Sequence, residues 1–357
     1  MTARSSNTEL QNITRDLQRT TLPRLPPAFG FDGDIEFSKQ LDIWKRWIQW
    51  EKDDPLVLKQ EDEAAFKARI LYVYKQALMA LRFWPEMWFD ASEFCFQNGL
   101  ETDGNDFLTQ GVAANPESCL LAFKRADRLE TTTSNEEGEE SAKRRGMAVR
   151  EPYDKVLDAL YDLITKTKTR EAQDIARIEE QYASTSPAIP FSSNPEDDDE
   201  LDDTVTEAKE AAKKAQIEAV QNVNAVQVRL LSRTVSFAWI ALMRAMRRTQ
   251  GKGKVGDDVG GSRQIFTDAR KRGRLTSDVY VASALLEHHC YKDPAATKIF
   301  ERGMKLFPDD ENFALEYLKH LIAVNDITSQ LTPLVALCAL LIFKQMLELC
   351  SRRPSAD

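Results

Sequence analysis

Apolar and aromatic residues recur at three- and four-residue spacing from about Leu41 onward, β-branched alternation is rare, and glycine and proline cluster between the apolar segments. That pattern predicts helices for nearly every ordered element. Residues 1–40 are polar and then rich in proline and glycine (Pro23, Pro26, Pro27, Gly30, Gly33), which reads as an extended lead-in. One class of helix carries a large apolar residue followed seven positions later by glutamate: Trp44 and Glu51 in DIWKRWIQWE, Phe123 and Glu130 in FKRADRLE, Tyr280 and Glu287 in YVASALLE. Seven residues are two turns, so both ends of each pair lie on one face. Trp88 and Trp239 hold the aromatic position, but Cys95 and Met246 stand where the glutamate is expected.

A second class pairs a large residue with a small one three positions on: Tyr74/Ala77, Leu108/Gly111, Phe266/Ala269 and Phe300/Gly303. The small residue lets a neighbouring helix approach, as antiparallel helix pairs require. The intervals from Tyr74 to Leu108 and from Phe266 to Phe300 are both 34 residues, the period of tetratricopeptide-like helical hairpins. These sixteen positions are read as structural repeat positions; none is assigned to catalysis, a cofactor or a metal.

Two stretches interrupt the series. Residues 131–150, TTTSNEEGEESAKRRGMAVR, are expected to form a polar loop before a single helix at 151–165, with Leu160 at a second-class position. Residues 166–232 read as an insertion: an acidic, disordered stretch with little packed core between 184 and 204, then a helical run at 207–227. A second block of hairpins follows at 233–325, and 326–357 is an atypical apolar segment.

Composition narrows the function. The 357 residues carry 48 basic and 57 acidic side chains, a net charge of −9, so the surface as a whole lacks the field that draws proteins to phosphate backbones. The five cysteines (Cys95, Cys119, Cys290, Cys338, Cys350) form no CxxC pair and no signal peptide is evident, which fits a reducing compartment. No apolar run is long enough to span a bilayer; the run at 334–343 would cross about half of one. Three histidines (His288, His289, His320) leave little material for zinc, and consecutive helical residues cannot jointly face one metal. No phosphate loop, nucleophile elbow or HExxH motif is present, so an enzyme and a cofactor are not expected.

The tryptophans and tyrosines could be read as base-stacking platforms, but they fall on the apolar stripe with small partners, as core residues do. The basic runs 143–145 and 270–274 could serve nuclear import or phosphate contact, and the acidic run 196–203 could dock a basic partner. Short charge runs are also ordinary solvated surface, and both readings stay open.

The alternation of W-x-x-[YW]-I-x-x-E helices with [IL]-[FY]-E-x-[AG] helices resembles HAT repeats, the half-a-TPR motif of RNA-processing scaffolds. More narrowly, DIWKRWIQWEKDDPL, RADRLE, WIALMRAMRR, IFTDARK and YVASALLEHHCYKDPAATKIFERGMKLFPDD are similar to the suppressor-of-forked family, from about Pro26 to Asn325. That family is the large scaffold subunit of the pre-mRNA 3′-end cleavage stimulation factor, and the insertion here is of fungal style. The resemblance implies an all-α, right-handed superhelical solenoid of HAT/TPR-like hairpins with disordered insertions, at 41–130 and 233–325. It also implies a non-enzymatic nuclear scaffold, with the cytoplasm also open, that assembles other subunits and meets pre-mRNA through RNA-binding partners. Family members are longer, and this chain resembles the central-to-second half of the array, the half that homodimerises. The carboxy-terminal segment that holds the RNA-recognition-motif subunit is not recognisable, so weak binding to that subunit is expected. Beyond Asn325 the resemblance to a further repeat stops, as in a truncated or mispredicted gene model. A HAT scaffold of splicing or ribosomal-RNA processing and a direct RNA-binding module are the alternatives.

Overall fold

The computed structural model describes residues 3–24, 34–133, 138–184, 199–257 and 259–324. Among them are thirteen helices and no strand. In chain order these are α1 (Ala3–Ile13), α2 (Asp34–Lys52), the single turn α3 (Leu58–Glu61), α4 (Glu63–Ala80), α5 (Pro85–Gln97), α6 (Glu101–Ala114), α7 (Cys119–Thr132), α8 (Glu139–Ser184), α9 (Asp199–Gln250), α10 (Ser262–Arg272), α11 (Ser277–Tyr291), α12 (Ala295–Leu306) and α13 (Glu311–Val324). The chain divides into two compact units: 1–132 with 152–159, and 133–151 with 160–357.

In the first unit α2 pairs with α4, α5 with α6, and α7 packs on both α5 and α6. Pro85 opens α5 at a position whose missing N–H costs no hydrogen bond, and Asp62 caps α4 by accepting from the Ala65 N–H at 3.0 Å. The core runs through Trp44, Trp47, Ile70, Tyr74, Met87, Trp88, Leu108 and Leu121. In the second unit α9 packs on α10 and α11, α11 on α12, and α13 on both α11 and α12. Both units are therefore built as HAT/TPR-like helical hairpins.

The small residues are where helices come closest. A Cβ on Gly111 of α6 would stand 2.9 Å from the Trp88 Cβ of α5, and one on Gly303 of α12 would overlap the ring of Phe313 on α13. Phe313 has no room to swing, because it is 1% exposed and lies against the rings of Phe300 and Phe307. Overpacking costs of about 1–3 kcal/mol exceed the roughly 1 kcal/mol that alanine gains over glycine inside a helix. Gly303→Ala should therefore lower the urea midpoint. A raised midpoint would show that the α12–α13 approach is looser than described.

Three boundaries differ from those read off the sequence. The lead-in at 1–40 contains a helix, α1, whose Leu10 and Ile13 pack on the first core, and α2 starts at Asp34, before Leu41. Only 17–24 of the described lead-in is an extended strap. It lies where α4 and α6 end: Leu22 N–H donates to the Ala80 carbonyl at 2.8 Å, Thr21 Oγ1 to Met79 at 3.0 Å and Arg24 Nη2 to Ala114 at 2.7 Å. Those carbonyls have no intrahelical donor of their own, so the strap acts as a cap made in trans.

The polar loop at 131–150 is instead helical from Glu139, because a few packed positions suffice: Val149 is fully buried, and Gly146 admits Gln250 and Val259 at a distance no side chain would allow. The helix expected at 151–165 is one part of α8, which runs on to Ser184, and the run 207–227 lies within α9. Of the stretch 184–204 expected to be disordered, Ser184 ends α8 and 199–204 instead open α9, while 185–198, and 325–357 with the atypical apolar segment, lie outside the described residues.

Candidate interaction scaffold

The seven-residue pairs build a clasp between helices. Trp44, 1% exposed, stacks on Trp47 at 5.5 Å, and two turns on the buried Glu51 accepts from Arg69 of α4 through Nε at 2.9 Å and Nη2 at 3.0 Å. In the second unit Tyr280 meets Phe266 edge-on at 5.3 Å, and Glu287 accepts from Arg263 of α10 at 2.6 and 2.9 Å. Arg263 also reaches Asp293 at 2.7 Å, and Lys252 joins the same carboxylate at 2.6 Å. The Lys252 hydrogen bond, the Ala295 N–H and Arg263 together hold the Asp293 carboxyl well below its usual range, while Glu287 raises the Arg263 guanidinium. Two parallel N–H···O bonds fix orientation as well as distance, so each clasp sets the angle between its helices.

Where glutamate is absent the position stays internal and turns apolar. Cys95 and Met246 are fully buried, and burial pushes the Cys95 thiol up to about 11. Trp88 donates from Nε1 to the Arg82 carbonyl at 2.9 Å, and Trp239 to Tyr161 Oη at 3.2 Å. Tyr74, Ala77, Leu108, Ala269 and Phe300 are at most 2% exposed. Phe123 is half-buried against Tyr153 at 5.1 Å, and Glu130 is half-buried.

One further clasp position escaped the sequence reading. His320 stands seven residues after Phe313 of α13, in place of the glutamate, and is 4% exposed. Its Nε2 meets Thr297 Oγ1 of α12 at 3.0 Å, its ring stacks on Phe300 at 4.9 Å, and the His288 ring of α11 lies at 4.8 Å with His289 beyond. The signal was the spacing, hidden because the residue type differs. Among the described residues no group of three or more His, Cys, Asp or Glu is placed to hold a metal.

Burial, reinforced by His288 and His289, lowers the His320 pKa. A base whose folded pKa lies below its unfolded value of about 6.5 contributes stability above that value and loses it as pH falls. The unfolding midpoint should therefore drop from pH 7.5 to 5.5 more steeply in the wild-type chain than in His320→Gln. Parallel slopes would contradict this.

A cleft of about 830 Å³ in the first unit is lined by Asp42, Lys45, Arg46, Lys52, Tyr74 and Asp90 among others. Lys52 Nζ lies 5.3 Å from the Tyr74 ring centre; burial lowers its pKa against the opposing pull of Asp90, whose own carboxyl burial raises. Mixed charge over aromatic faces suits recognition of a partner surface. The basic runs lie at helix surfaces of the second unit, with Arg270 over Phe266 at 5.1 Å and Arg272 over Tyr161 at 4.2 Å. Among the described residues no helix is long and apolar enough to cross a membrane.

Hairpins joined by an aromatic, a buried acid and a small residue define a HAT/TPR-like repeat protein. The family model for the suppressor of forked protein (Suf) matches residues 1–333, wider than the segment that carried the resemblance. The chain belongs to the suppressor-of-forked family. It is 71% identical over 327 residues to the mRNA 3′-end-processing protein rna14 of Aspergillus fumigatus, covering 92% of this chain and 31% of that protein. It is 54% identical to rna-14 of Neurospora crassa, of which it covers 28%, and 28% identical to rna14 of Schizosaccharomyces pombe, of which it covers 37%. The chain thus spans about a third of the length of the relatives it matches.

Proposed function

We propose that this chain is the helical-repeat part of a non-enzymatic scaffold for pre-mRNA cleavage and polyadenylation, working in the nucleus. The observation that carries the reading is the 71% identity over 92% of the chain to a protein named for mRNA 3′-end processing. The architecture supports it: within each unit clasped hairpins bury a core and leave helix faces for partners. The chain assembles other subunits of the machinery, self-associates through its repeats, and meets pre-mRNA through RNA-binding partners.

The tagged chain, recovered from nuclear extract of its own source and identified by mass spectrometry, should bring 3′-end-processing subunits at stoichiometric levels. Light scattering at tens of micromolar should give twice the chain mass. Recovery of splicing or ribosomal-RNA-processing subunits instead would replace this reading with another HAT scaffold, and a monomer would remove the self-association.

A further inference from the structure

The cleft of about 830 Å³ in the first unit takes its lining from α2, α4 and α5. Its floor is apolar: Ile48, Tyr74 and Met87 are 5%, 1% and 1% exposed. Lys45 and Lys52 stand on the α2 side, seven residues apart. Seven residues are two turns, so both side chains leave one face of the helix about 10.5 Å apart along its axis.

Among the described residues neither lysine forms a salt bridge. Lys52 Nζ lies over the rings of Tyr74 and Phe94 instead, 5.3 and 5.8 Å from their centres. Burial lowers its pKa, so this ammonium has given up part of its hydration with no carboxylate in contact to replace it. Asp90 of α5 acts on both lysines from a distance, and among the described residues its carboxylate accepts no hydrogen bond. Arg46 is held on its own helix, where Nε donates to the Asp42 carbonyl at 3.3 Å. The charged lining is thus Lys45, Arg46 and Lys52 with Asp42 and Asp90, a positive excess in a chain whose net charge is −9.

We infer that this cleft docks an extended acidic segment of a partner protein, with two carboxylates three residues apart on Lys45 and Lys52 and a backbone N–H between them on Asp90. The inference rests on the scaffold reading, for which it names one partner contact. A polyproline-II segment rises about 3.1 Å per residue with three residues per turn, so acidic side chains at i and i+3 share a face about 9 Å apart, close to the lysine spacing. A partner helix fits less well: at about 10–12 Å across, each 5.4 Å turn fills about 500 Å³, and the two turns that span the lysines need more than the cleft holds. RNA fits less well too. A phosphate on every nucleotide would set negative charge against Asp42 and Asp90, and the Tyr74 ring, 1% exposed beneath Lys52, offers bases no face to stack on.

The probes are four fluorescein-labelled synthetic peptides on one proline-rich frame, with two glutamates three residues apart, two glutamates adjacent, two glutamines three apart or two lysines three apart. Against the full chain, anisotropy should show the spaced glutamate peptide binding at least about tenfold more tightly than the glutamine and lysine peptides, and more tightly than the adjacent glutamates, with the preference shrinking as salt rises. Lys45→Gln and Lys52→Met should each weaken it by about tenfold. Lys45 is exposed, and methionine keeps an unbranched stem over the Tyr74 and Phe94 rings, so circular dichroism and the thermal midpoint should stay at wild-type values. Equal binding of the spaced glutamate and glutamine peptides, equal binding of the two glutamate spacings, or full affinity in either variant would overturn the proposal. So would a single-stranded RNA that binds more tightly and is lost in the same variants, or a dimer that Lys45→Gln converts to monomer by light scattering. Recovery of subunits from nuclear extract reads the scaffold role as a whole and these peptides read the cleft alone, so the two readings can fail separately.

Discussion

Trp239→Ala should cost about 3–5 kcal/mol of unfolding free energy, the range for deleting a fully enclosed large aromatic side chain. Trp239 is 1% exposed, with Val235, Leu242, Met243 and Met246 buried on the same face of α9. The loss has a polar part as well. The indole Nε1 donates to Tyr161 Oη at 3.2 Å, and Tyr161 donates in turn to the Gly273 carbonyl at 2.9 Å, so the tryptophan sits at the root of a chain that holds the α10–α11 loop. Leu230, on the same helix and 50% exposed, is the control: Leu230→Ala should stay within about 0.5 kcal/mol of wild type. Urea denaturation of the three proteins decides it, and a Trp239→Ala loss under about 1 kcal/mol would contradict the packing described.

The second large effect is an asymmetry. Arg263→Leu leaves Glu287, 4% exposed, without another side-chain partner among the described residues. Stranding a buried charge in this way costs about 3–5 kcal/mol. Glu287→Leu leaves Arg263 with Asp293 at 2.7 Å and a guanidinium side chain one-third exposed. That loss should be smaller, about 1–2 kcal/mol, because water and the remaining carboxylate still solvate the cation. The double variant should lose less than the two singles added together, since the pair is removed as a unit. Equal single losses, or strict additivity, would show that the clasp carries no coupling.

The sequence was most legible where chemistry and spacing coincide. Aromatic and glutamate at seven, large and small at three, and two intervals of 34 residues located the hairpins, because each expresses a contact inside one helix or across one fixed turn. The clasp's other half was not legible. Arg69 lies 18 residues after Glu51, whereas Arg263 lies 24 before Glu287, so the cation comes from the following helix in one case and the preceding helix in the other. Nothing in one repeat specifies which.

Helices with few buried positions were also missed. Helix α1 docks through a few positions, Leu10 and Ile13 on the core and the buried Ser6, and the start of α8 through Gly146 and Val149, so their polar composition reads as loop. His320 was missed because residue type rather than position was followed. Helix α9 shows the reverse problem: AVQNVNAVQVRLL has apolar residues on more than one face, and only packing reveals that Val223, Val226 and Leu230 are exposed.

Whether these hairpins scaffold 3′-end processing, as proposed, is decided by a replacement. In Aspergillus fumigatus, the segment of rna14 to which this chain is 71% identical would be exchanged for the chain's own matching residues, with transcript 3′ ends mapped across the genome. The exchanged protein should give wild-type cleavage-site usage, and widespread read-through when the exchange also carries Trp239→Ala. Read-through from the unsubstituted exchange, with the protein present at normal abundance, would contradict the proposal.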